Sequence, residues 1–194
     1  MRSVGKLPEG YKECYSLDLQ KDKKTALLVN GVALAVTVVM AAAMSFYIPV
    51  WTFFTMENGF VNYIIRMAAF IVFMFLYLIL HEAVHGIAMK ICGTKKVKYG
   101  FTGLYAFAGS DDYYGKGAYK FIALAPVVFW GIVLAAVNCI VPVEFFWLVY
   151  FIQILNVSGA AGDMYVTLKF SKLPKDILVN DSGVGMKVYS KEQY

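Results

Sequence analysis

The sequence predicts an all-α polytopic membrane protein of four transmembrane helices, with a stretch of strand character between the second and third. Three observations lead there. The chain of 194 residues is 60% hydrophobic with a mean hydropathy of +0.61, a composition with little soluble mass. Four apolar segments each run for about 20 residues or more, enough to cross about 30 Å of hydrocarbon at 1.5 Å per residue. Lysine and arginine gather in alternate connections only.

Residues 1–24 are polar and precede the first apolar segment, Thr25 to Val50, which is rich in Ala and Val. That segment is too long for a signal-peptide core, so no cleavable signal is expected. The second segment runs from about Tyr63 to Met89, the third from about Tyr119 to Val141, and the fourth from about Glu144 to Phe170. One transmembrane domain, residues 25–170, is therefore expected between a cytoplasmic N-terminal segment, 1–24, and a cytoplasmic tail, 171–194. No internal repeat is visible.

The charges orient these segments. Arg2, Lys6, Lys12, Lys21, Lys23 and Lys24 precede the first. Lys90, Lys95, Lys96, Lys98, Lys116 and Lys120 lie between the second and third. Lys169, Lys172, Lys175, Lys187 and Lys191 follow or end the fourth. The connections around Trp51 to Asn62 and around Pro142 carry none, and Arg66 stands alone one turn inside the second segment. The positive-inside rule puts both termini and the middle loop in the cytoplasm. The net charge of +5 is thus topology and argues for no nucleic-acid partner. Cys14, Cys92 and Cys139 are far apart and form no CxxC, which argues against a disulfide scaffold or a zinc ribbon.

The second segment carries His81-Glu82-Ala83-Val84-His85 near its end, and these are the only two histidines. Imidazoles four residues apart on a helix differ by about 40° around its axis, so both can reach one metal ion. Glu82 lies within about 60° of His85, where its carboxylate can take a proton from an attacking water. An HExxH also arises by chance, but burying two imidazoles and a carboxylate in lipid is costly, and such groups usually have a function.

Catalytic zinc needs a third protein ligand. Of thirteen acidic residues, only Glu82 and Asp163 fall within apolar segments. Depth supports Asp163. Lys90 follows His85 by five residues and Lys169 follows Asp163 by six, so both candidates lie about 8 to 9 Å inside their lysines. The alternative is that Asp163 caps a helix end after Gly159-Ala160-Ala161-Gly162. Those small residues permit close helix approach. Asn156, seven residues earlier, lies within about 20° of Asp163 on an ideal helix. It can bind substrate or an oxyanion, or make an interhelical hydrogen bond.

Residues 96–108 alternate partially, with aromatics and glycines, and Tyr113-Tyr114 reads as the start of a return strand. This is either a β-hairpin whose edge pairs with extended substrate, or an amphipathic loop at the interface. The tail from Pro174 can pack on the site, with no readable role.

An HExxH within the membrane, a loop of strand character, and a later helix with Asn156, small residues and Asp163 resemble the site-2 proteases, which are intramembrane zinc metalloproteases. The short form with Asn-Val-Ser-Gly-Ala-Ala-Gly-Asp is more similar to bacterial zincin-like membrane peptidases. The resemblance covers about Tyr63 to Phe170. Site-2 proteases usually place prolines before an Asp-Gly, whereas this chain has no proline there and Met164 follows Asp163. The resemblance implies Zn2+ held by His81, His85 and Asp163, with Glu82 as catalytic base. It implies a bacterial plasma-membrane location and a membrane protein or peptide as substrate. The alternatives are a metal-dependent hydrolase of a lipid or lipidated peptide, and a non-catalytic metal-binding membrane protein.

Overall fold

The computed structural model describes residues 3–18, 21–57, 59–103 and 105–191. Arg2 of the basic N-terminal group lies outside the described residues. The elements in order are β1 (Lys12–Leu17), α1 (Lys23–Ser45), a 3-10 turn (Val50–Phe53), α2 (Phe60–Ile91), β2 (Lys98–Phe101), β3 (Ala106–Gly109) and β4 (Tyr113–Gly115). There follow α3 (Lys116–Ile140), α4 (Val143–Gly159), α5 (Ala161–Ser171), β5 (Leu178–Asp181) and β6 (Met186–Ser190).

Four helices are long and apolar enough to cross a membrane, with α4 and α5 together forming the fourth. Asp22 starts α1, its carboxylate accepting the Thr25 N–H at 3.1 Å. None of the residues of α1 is buried. Leu27, Leu34 and Val39 are each about two-thirds exposed or more, a surface suited to lipid rather than water. The fourth segment is not one continuous helix. It breaks at Ala160, whose ψ of 5° leaves the helical range, between the poor helix formers Gly159 and Gly162. Ala160 itself is fully buried.

The protein is mostly helical but not all-α. The N-terminal segment (β1) and the tail (β5, β6), for which no strands were expected, join β4 of the middle loop in a four-stranded antiparallel sheet in the order β1-β6-β5-β4. β6 alternates, with Val188 and Ser190 inward and Lys187 outward. Between α2 and α3 the hairpin alternative is the one present. β2 pairs with β3 in the register Lys98↔Gly109 to Phe101↔Ala106. Gly103 at φ 88° makes the turn, a conformation L side chains rarely adopt. Tyr113 and Tyr114 do form a strand, but β4 pairs with β5 of the tail instead of returning to the hairpin.

Two cores result. One joins the lysine-rich helix ends to the sheet through Met89, Tyr114, Tyr119, Ile122, Phe170 and Val188. The other fills the opposite end with Phe53, Trp147, Leu148 and Ile154.

Candidate metal centre

The last turns of α2 point both histidines toward α5. His85 Nε2 lies 3.5 Å and His81 Nε2 3.7 Å from Asp163 Oδ2. Two ligands at about 2.05 Å from one tetrahedral zinc stand about 3.3 Å apart, so these spacings fit a shared ion with small adjustment. Among the described residues, His81, His85 and Asp163 are the group able to hold a metal. The break at Ala160 starts a new helix two residues before Asp163.

The opposite ring nitrogens fix which atom is free to bind. His85 Nδ1 is 2.9 Å from the Ile122 carbonyl oxygen. That carbonyl is available because Pro126, four residues on within α3, has no N–H to bond it. His85 must donate from Nδ1, which leaves Nε2 as a lone pair facing Asp163. His81 Nδ1 is 2.8 Å from the Tyr77 hydroxyl. That hydroxyl donates to Asn156 Oδ1 at 2.9 Å, so it accepts from His81. Asn156 Nδ2 donates to the Val127 carbonyl at 3.1 Å, which fixes the orientation of its amide. Both histidines are thus held as the tautomer whose Nε2 can ligate. Two imidazole nitrogens and one carboxylate are a donor set that suits zinc.

Glu82 lines the same cavity of about 240 Å³ as His81, His85 and Asp163. Ala106, Phe107 and Ala108 of β3 line this cavity beside it. Strand alternation turns Ala106 to the same edge as Ala108, toward the cavity that both line. Gly86 permits this closeness, because a Cβ there would overlap the Tyr99 ring of β2.

The structure thus brings together His81, Glu82, His85 and Asp163. Asn156 is fully buried and outside the cavity lining, in its interhelical alternative. Several participants were not foreseen. Tyr77 was findable as the residue four before His81 on the same face. Pro126 in an apolar helix signals a carbonyl without its helical partner. Asp181 had no sequence signal. It is buried, lines the cavity and accepts from the Tyr119 hydroxyl and the Gly183 N–H, both at 2.9 Å. Burial pushes its carboxyl above the usual range.

A profile of the family described as "Putative zincin peptidase" matches residues 74–178, which include the metal ligand candidates, Glu82 and Asn156. A protein of Pyrococcus woesei described as "Uncharacterized 24.7 kDa protein in gap 5'region" is 31% identical over 122 residues. The match covers 58% of this chain and 50% of that protein, so the chain spans about half the length of the curated relative it matches. No solved structure matches the chain.

Proposed function

The chain belongs to the family described as "Putative zincin peptidase", and on that premise we propose that it is an intramembrane zinc metallopeptidase. It hydrolyses peptide bonds of membrane-embedded or membrane-proximal substrates near the cytoplasmic face. The observation that carries this is the convergence of His81 Nε2, His85 Nε2 and Asp163 Oδ2 beside the Glu82 carboxylate, in a cavity at the lysine-rich end of apolar helices. His81, His85 and Asp163 hold the ion. When bound, zinc supplies Lewis acidity that polarises a carbonyl and acidifies a water.

Glu82 takes the proton of the attacking water and delivers it to the leaving amine. Ala106 to Ala108 of β3 stand beside its carboxylate in the cavity wall. The free edge of β3 pairs with a substrate backbone, which must be extended before it can be cut. The lysines of the middle loop and tail face the cytoplasm, as do both termini.

The test compares wild type with Glu82→Gln in zinc content and in cleavage of a transmembrane reporter peptide. Glu82 is no ligand, so zinc stays at about one per chain while turnover falls about 10²-fold or more. Equal cleavage by both forms would remove Glu82 as the base. Cleavage of lipid esters but not of peptides would favour the lipid-hydrolase alternative.

A further inference from the structure

At the end of α2 remote from the metal centre, Arg66 is 6% exposed. It precedes His85 by 19 residues, about 28 Å along a helix. Its Nη2 donates to the Thr55 carbonyl at 2.6 Å, and its guanidinium carbon lies 5.7 Å from the Phe53 ring centroid. Its Nε is buried and has no partner among the described residues. No carboxylate pairs with it among those residues, although a buried charge ordinarily requires a counter-ion.

Arg66 lines a cavity of about 390 Å³ with Thr55, Asn62, Tyr63, Glu144 and Phe145. Glu144 stands in its wall without closing an ion pair to Arg66. One site thus holds a cation and an anion that do not neutralise each other. Its complement is a zwitterion with an acidic oxygen group and an N–H cation joined by a short linker. The lining also includes Ile65, 56% exposed, and Phe145, 45% exposed, apolar side chains at the mouth that suit acyl chains.

We propose that this cavity binds the headgroup of a phosphatidylethanolamine, with its phosphate on Arg66 and its ammonium on Glu144. The guanidinium offers its remaining Nη donors to phosphate oxygens. The primary ammonium donates N–H bonds to the carboxylate, which a choline headgroup cannot do. The site rests on the membrane reading of the helices and is independent of the peptidase reading.

The experiment is native mass spectrometry of the full chain released from micelles doped with dioleoyl phosphatidylethanolamine, phosphatidylglycerol or phosphatidylcholine. Parallel runs contain phosphoethanolamine or inorganic phosphate as soluble competitors. Wild type retains phosphatidylethanolamine about tenfold better than the other two lipids, the scale of one charged hydrogen bond. Glu144→Gln, at an exposed position, brings that preference down to the level of phosphatidylglycerol, and Arg66→Gln weakens all three lipids. Zinc content is unchanged in both variants. Equal retention of all three lipids by wild type, or an intact preference in Glu144→Gln, would overturn the proposal. So would displacement of the lipid by millimolar inorganic phosphate, which marks a free-anion site. Loss of peptide cleavage in Glu82→Gln leaves these readouts untouched, so the two readings fail separately.

Discussion

Removing the Tyr77 hydroxyl would leave His81 Nδ1 without the partner that selects its tautomer. Tyr77→Phe keeps the ring and its packing but breaks the chain from Asn156 to His81. Zinc affinity should fall about 10- to 100-fold, the range for partners that orient a ligand, with helix content unchanged. Competition against a chelator measures this, and wild-type affinity in the variant would mean that the tautomer is set elsewhere. Pro126→Ala tests the other histidine. The restored N–H competes with His85 for the Ile122 carbonyl while removing a helix breaker. Thermal stability should rise as zinc affinity drops, about tenfold. The histidines and Glu82 were legible because their spacing is local to one helix. Asp163 was legible because lipid excludes other acids. The role of Asn156 was not, because it depends on which neighbours the packing presents.

The hairpin of β2 and β3 reaches the metal centre through a close fit. Gly86→Ala would drive a methyl into the Tyr99 ring and push β2 away from α2. The β3 wall of the cavity beside Glu82 would then shift, and turnover should fall at least about tenfold while zinc is kept, because aim rather than ligation is lost. Adding Tyr99→Ala removes the collision and should restore much of the rate; no rescue would assign the loss to α2 itself. The sheet of the two tails has its own pH dependence. Asp176 accepts the Lys191 N–H at 2.9 Å and the Ser190 hydroxyl at 3.0 Å, and these donors hold its carboxyl below the usual range. A carboxyl depressed in the folded state adds stability above its unfolded pKa of about 4 and loses it as pH falls through the folded value. Exchange of the β6 amides, corrected for intrinsic rates, should therefore quicken below about pH 4 and much less in Asp176→Asn. The strands of the two termini, β1, β5 and β6, escaped the sequence because each has only a few residues and its partner lies far along the chain. A helix end at the small-residue run was one of two readings, and the sequence could not choose it because small residues serve tight packing as well.

At the scale of the whole molecule, lipid as solvent explains what was readable: spanning segments must be long and apolar, and lysines mark their cytoplasmic ends. Cysteine labelling should find residues 95–96 and both tails accessible from the cytoplasmic side; external labelling of the middle loop would reverse the orientation. Chelation should lower the unfolding temperature of wild type and barely affect His85→Ala, since an ion that binds only the folded state stabilises it by about 4 kcal/mol at 1,000 times its dissociation constant. The four-stranded sheet was unreadable because its pairings join distant parts of the chain, as Lys12 pairs with Ser190. That pairing also sets a timetable for synthesis. The α2 histidines leave the ribosome long before Asp163, and β1 must wait for β6, made more than 160 residues later. Pairings of such separation form late. On the proposed reading, a half-translated chain would sit in the bilayer with an incomplete ligand set and β1 still unpaired, and newborn copies would become able to cut only after Asp163 has joined the two histidines of α2.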